Sequence, residues 1–162
     1  MKRWVIFGLT ISLIGAFTWV VAPAKAPDIP LPADIKILPP GPDVPSRAAK
    51  FSGAWKGQWV VQGGGGSHDG ILIVEEIHPS TAKCIRAVSG HFFGRIYIEK
   101  EYERIEAKIE NEKLILDTKS HLGLIIYVYN ETTDTLNGSY EVGRLLAIGT
   151  FHRVPLGSLI SN

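Results

Sequence analysis

Period-two alternation is the feature that most narrows what this chain can fold into. In Trp55-Lys56-Gly57-Gln58-Trp59-Val60-Val61-Gln62, residues Trp55, Gly57, Trp59 and Val61 share one side of an extended strand, and Lys56, Gln58 and Gln62 take the other. Successive side chains of a strand point to opposite faces, so this stretch reads as a strand with one dry side. Further strands are predicted at Ile71 to His78, Ala82 to Ser89, Arg95 to Glu99, Tyr102 to Glu110, Glu112 to Thr118, Leu122 to Asn130, Thr135 to Glu141 and Arg144 to Val154. Turn sequences such as His78-Pro79-Ser80-Thr81, Glu110-Asn111-Glu112 and Val142-Gly143 separate them. Short strands at that spacing predict an all-β fold, a small antiparallel up-and-down barrel of about eight strands. Closure would also leave no exposed sheet edge.

The segment from Glu99 to Ile109 competes with this reading. It is rich in helix formers, and Ile98, Tyr102, Ile105 and Ile109 fall at helical spacing. Ile105, Ala107 and Ile109 nonetheless alternate with Arg104, Glu106, Lys108 and Glu110, and strands are predicted on both sides. Strand is the reading adopted.

The barrel occupies residues 51–154. Before it, Met1-Lys2-Arg3 gives a positive start and Trp4 to Ala22 carries no charge. Small residues in Val21-Ala22-Pro23-Ala24-Lys25 suit signal cleavage after Ala24, so residues 1–24 read as a signal peptide. The alternative is an uncleaved anchor helix, because the uncharged stretch approaches the about 20 residues needed to cross a bilayer. Either way the body is expected outside the cytoplasm, periplasmic or secreted, with any membrane contact through this segment alone. Residues 25–50 form a Pro-rich linker, with Pro27-Asp28-Ile29-Pro30-Leu31-Pro32 and Pro39-Pro40-Gly41-Pro42. Prolines fix extended backbone and predict a semi-rigid spacer, or else a solvated tail or an arm lying along the barrel wall. Residues 155–162 are a C-terminal tail.

Charge excludes one class of partner. The chain carries +1 formally, and removing Lys2 and Arg3 with the leader tips the remainder to about −1. A nucleic-acid binder needs a basic surplus that this chain lacks. Cys84 is the single cysteine, so no intrachain disulfide forms, and its apolar-alternating neighbourhood predicts a buried, inert thiol.

Gly53-Ala54-Trp55 opening the first strand, with Arg153 near the end of the last, resembles the calycin pattern of lipocalin-like and avidin-like barrels. The resemblance implies that Trp55 plugs one barrel end and that Arg153 caps its ring, with Gly53 allowing close backbone approach. The longer Gly53-Ala54-Trp55-Lys56-Gly57 also looks like the opening of haem-binding nitrobindin-type barrels, and the whole resembles small secreted bacterial barrel domains. Lipocalin loops and the avidin tryptophan set are missing, so the resemblance implies a fold and not a ligand.

Chemistry is sparse. Trp59, Tyr97, Tyr127, Tyr129 and Tyr140, with Phe92 and Phe93, either line a cavity or fill it, since an eight-stranded barrel is wide enough for one small ligand at most. Glu75 continues the Ile71, Ile73 and Ile77 face, and either points inward as a ligand-orienting or acid–base group or sits on a wet rim. His68, His91 and His121 fall in predicted loops and could meet at one mouth to bind zinc or haem iron, but no His-x-His or H-E-x-x-H spacing joins them. Gly63 to Gly66 lacks the Lys-Ser/Thr of a phosphate loop and reads as a hairpin tip able to fold over a mouth. Ser67-His68-Asp69 are neighbours that point in different directions, which excludes a triad. The function expected is non-enzymatic binding of a small apolar or amphipathic ligand, without a cofactor. Trp59, Tyr127, Tyr129 and Tyr140 would line the site, and Glu75 or Arg86 would orient a polar group. The alternatives are an envelope interaction module with a protein partner on a Pro-rich stalk, and a haem- or metal-dependent barrel or hydrolase.

Overall fold

The computed structural model describes residues 29–63, 66–93, 96–118, 123–142 and 145–160. The leader at residues 1–24, Gly64, Gly65, Arg95, His121, Leu122 and Arg144 lie outside the described residues. Among the described residues, no helix is long and apolar enough to cross a membrane.

Among the described residues ten strands run in order: β1 (Gly53–Val61), β2 (Ser67–Ile77), β3 (Thr81–Val88), β4 (His91–Phe93), β5 (Ile96–Ile98), β6 (Glu101–Glu110), β7 (Lys113–Asp117), β8 (Leu124–Asn130), β9 (Thr135–Val142) and β10 (Leu145–Val154). Eight of them close an antiparallel barrel in the order β1-β10-β9-β8-β7-β6-β3-β2. The barrel is thus up-and-down, with β1 and β10 sealing the seam through Trp55↔Arg153, Gly57↔Phe151 and Trp59↔Gly149. One-turn helices α1 (Ser46–Ala49) and α2 (Gly157–Ile160) flank it. The helix-rich composition around Glu99 to Ile109 is overridden: β6 is a full strand pairing with β3 from Thr81↔Lys108 to Val88↔Glu101. Its neighbours on both sides supply hydrogen bonds and a core for alternate residues, which local propensity cannot match.

One expected barrel strand is corrected. Of the stretch expected from Arg95 to Glu99, the described Ile96–Ile98 is not a stave; it pairs with His91–Phe93 in a separate two-stranded sheet. This hairpin is an excursion between β3 and β6, which pair directly.

Inward-facing Trp55, Trp59, Leu72, Val74, Cys84, Ala107, Leu114, Leu116, Ile125, Tyr127, Leu136, Tyr140, Ala147 and Phe151 form the core. Room for the large rings comes from glycine. A Cβ at Gly138 would lie 2.5 Å from Trp59 Cη2, and one at Gly57 would lie 2.2 Å from the Thr150 carbonyl. Cys84 is buried as expected, and burial pushes its thiol up, away from thiolate chemistry.

A second apolar layer lies outside the barrel. Ala54, Ile71, Ile73, Ile85 and Ala87 face outward and are covered by Ile29, Leu31, Ile35 and Ile37 of the proline-rich segment, with Val154, Leu156 and Leu159 from the C-terminal end. Of the three readings of the linker, its described part from Ile29 onward packs as an arm along the wall. The C-terminal residues pack there too, rather than trailing free. A β-bulge on β2 between Val74 and Glu76 leaves Glu75 outside the β3 ladder, and the Glu75 carbonyl accepts the Leu38 N–H at 2.7 Å. Bulged residues lose their ladder partner; here the arm supplies the replacement.

Candidate functional site

The two barrel ends differ in chemistry. At the closed end, Trp55 is fully buried and donates its indole N–H to the Phe51 carbonyl at 2.9 Å. The Arg153 guanidinium lies over its ring, 4.0 Å from the centroid. Arg153 also donates to the Ser52 carbonyl at 2.6 Å and the Lys50 carbonyl at 3.0 Å, and meets Asp134 at 3.3 Å. Gly53 adopts φ 118°, and a Cβ there would lie 2.9 Å from Arg153 Nη1. Both the backbone conformation and the space therefore favour glycine. Gly53, Trp55 and Arg153 come together as the resemblance implied. Tyr129 belongs to this end as well: its ring meets Trp55 edge-on at 6.2 Å and its hydroxyl donates to Asp134 at 2.9 Å.

Above this plug the barrel's middle is filled with rings. Trp59 meets Tyr140 at 4.8 Å, Phe151 at 5.0 Å and Tyr127 at 5.8 Å, and Tyr127 meets Phe151 at 5.4 Å. Steep interplanar angles mark these as edge contacts that fix a packed layer. Trp59, Tyr127 and Tyr140 thus form a floor rather than the walls of an open space.

The opposite end, where β1 meets β2 and β3 meets β6, carries buried polar groups. Arg86 is 2% exposed and projects inward from β3. Its Nη1 donates to Glu103 at 3.1 Å and to Glu101 at 3.3 Å. The register Arg86↔Glu103 places them directly opposite each other. Arg86 Nε is buried with no partner among the described residues.

Beside it, the rings of His68 and His91 stack face to face, 3.4 Å apart and 5° from parallel. His91 Nδ1 lies 2.8 Å from the Ser89 carbonyl, which can only accept, so Nδ1 carries the proton. The other nitrogen of neutral His91, Nε2, is then a lone pair; it too is buried without a partner among the described residues. Burial, then the neighbouring His91 and Arg86, pull His68 down to about 3. Burial also lowers His91, outweighing the Ser89 bond. Both imidazoles are neutral at pH 7. His68 Nε2 lies 3.3 Å from the Tyr140 hydroxyl, and burial pushes the Tyr127 and Tyr140 phenols up, so both stay protonated.

Sequence alone puts His68 and His91 in loops; they are in β2 and β4, and their rings stack. Among the described residues, no group of three His, Cys, Asp or Glu side chains is gathered to hold a metal. Glu75 lies outside the barrel, where its carboxylate meets Arg104 at 3.4 Å and the Lys36 N–H at 3.3 Å. It follows Ile71 and Ile73 outward, and that face looks apolar because the arm covers it, not because it is the interior. Glu75 borders an outer depression of about 350 Å³ shared with Asp34, Lys36, Lys83 and Arg104, and is not in the barrel interior. Glu101 and Glu103 are members of the site that the sequence reading misses. The available signal is their phase: both fall on the Ile105, Ala107 and Ile109 face, and they sit opposite an inward arginine.

Comparison of the chain with protein-family models, with curated proteins and with solved structures finds no significant match. The architecture rests on its own geometry: a closed eight-stranded antiparallel barrel compatible with a calycin-like fold, sealed at one end by Trp55 beneath Arg153.

Proposed function

We propose that this chain is a non-enzymatic, extracytoplasmic barrel that binds a small amphipathic molecule at the end opposite the Trp55 plug. The apolar part of the ligand rests on the Trp59, Tyr127 and Tyr140 floor, and its polar part meets Arg86 and His91. One observation carries this reading. Arg86 Nε and His91 Nε2 are buried at the same end without partners among the described residues, and each such group costs about 1–3 kcal/mol when left unsatisfied. Unsatisfied groups of this kind call for an explanation, and a ligand that bonds to them supplies one. Native mass spectrometry of protein extracted from producing cells tests it. A bound small-molecule mass is expected, lost on His91→Phe; a bare chain mass in every extract refutes the reading.

A second reading has its own observation. On the outer wall of β1, β8 and β10, Val60, Val128 and Ile148 are 44%, 41% and 45% exposed and border a shallow depression of about 700 Å³. Exposed apolar groups clustered on one wall suit an interaction module with a protein partner. Pull-down with Ile148→Glu should lose that partner if this wall is the working surface. Unchanged capture removes this reading.

A further inference from the structure

The site at Arg86 and His91 also constrains the chemistry of what it binds, an inference that rests on the binding function proposed above. We infer that the polar end of the ligand is uncharged and presents a hydrogen-bond donor beside an acceptor, as a primary amide or a lactam does.

The protein already holds one half of each hydrogen bond, and the missing halves define the ligand. Arg86 Nε can only donate, so its partner must accept. His91 Nε2 must receive, because Nδ1 of the same ring is committed to the Ser89 carbonyl at 2.8 Å. A carboxylate or phosphate offers acceptors alone and would set its oxygens against the Nε2 lone pair. An ammonium offers donors alone and would leave Nε unanswered. An amide satisfies both, its oxygen taking the Nε proton and its N–H giving to Nε2.

Charge points the same way. The Arg86 guanidinium is already shared between Glu101 at 3.3 Å and Glu103 at 3.1 Å. Two carboxylates against one guanidinium leave the site with no positive charge to spare for an anion. A ligand anion would have to displace a glutamate from the buried guanidinium to gain its place.

His91 is carried on the β4–β5 hairpin, which forms a sheet of its own outside the barrel ladder. Its ring rests on His68 through stacking, and Tyr140 stands beneath at 3.3 Å from His68 Nε2.

The test uses three probes that share one tail: hexanamide, hexanoate and hexylamine, each titrated into the full-length chain. Nitrogen-resolved NMR follows the Arg86 Nε–H and His91 ring signals, and Trp59 fluorescence follows occupancy independently. Hexanamide is expected to shift both nitrogens and to bind about tenfold or more tightly than either charged probe, because a site built around a donor–acceptor pair rejects groups that leave one side unanswered. His91→Phe keeps the stacking ring and removes Nε2, and it should erase the preference while leaving the barrel folded. If all three probes bind equally, or hexanoate binds best, this inference fails while the binding function stands. If no probe moves either nitrogen, the inference fails as well. Should the cell-extracted protein also carry no bound mass, the binding function falls with it.

Discussion

Replacing Arg153 with alanine should loosen the closed end by about 3 kcal/mol, and the structure gives the parts of that figure. The guanidinium face over Trp55 at 4.0 Å contributes about 0.5–2 kcal/mol. Charged donors to the Ser52 and Lys50 carbonyls contribute about 1.5 kcal/mol each, taken at the low end because the side chain is 38% exposed. The pair with Asp134, itself 55% exposed, adds little. These parts overlap, so about 3 kcal/mol is their joint effect rather than their sum. In a barrel domain of this size it corresponds to a fall in Tm of about 10–20 °C. Arg153→Lys should recover less than half, since an ammonium has no flat face to lay on indole and does not fork across two carbonyls. Urea unfolding followed by tryptophan fluorescence measures both variants, and a cycle with Trp55→Phe isolates the ring term. A loss under about 1 kcal/mol for R153A, or full recovery in R153K, would mean that Trp55 and Phe51 seal the end by packing alone.

Three further outcomes are expected. Gly138→Ala drives a methyl against Trp59 and should cost about 1–3 kcal/mol by calorimetry, with the edge contact between Trp59 and Tyr140 disturbed in near-ultraviolet dichroism. Stability should fall as pH drops from about 6.5 toward 3: the unfolded chain takes up a proton on His68 in that window and the native chain, with His68 held at about 3, does not. His68→Phe should flatten that slope in denaturant midpoints measured across the window. Replacing both Ile35 and Ile37 of the arm by alanine should cost about 2 kcal/mol and raise binding of a hydrophobic dye, because Ile71, Ile73 and Ile85 lose cover.

Much of this architecture is legible in the sequence, and the misreadings share physical causes. Trp55 to Val61 alternates visibly because one face of β1 meets water over most of its length. Ile71 to Val74 does not alternate, because the arm dries the second face, and strands buried on both sides read as continuous apolar runs. That same cover makes Glu75 look like a member of an inner face. The bulge compounds it, since one extra residue reverses the phase of every later position on β2. His68 reads as a loop residue because four glycines precede it and mask the start of β2 at Ser67. Its pairing opposite Trp59 needs the partner strand, and no local pattern announces it. Glu101 and Glu103 are hidden in a stretch whose composition favours helix; only the three-dimensional register with Arg86 gives them meaning.

The arm's attachment has a mechanical consequence. It is fastened at several successive points: Asp34 to Arg104, the Lys36 N–H to the Glu75 side chain, the Leu38 N–H to the Glu75 carbonyl, and the isoleucines to the outer wall. Tension arriving from the residues before Ile29 would meet these fastenings one after another, as a zipper is opened from its end. Each small rupture would dissipate load before the closed ladder felt it.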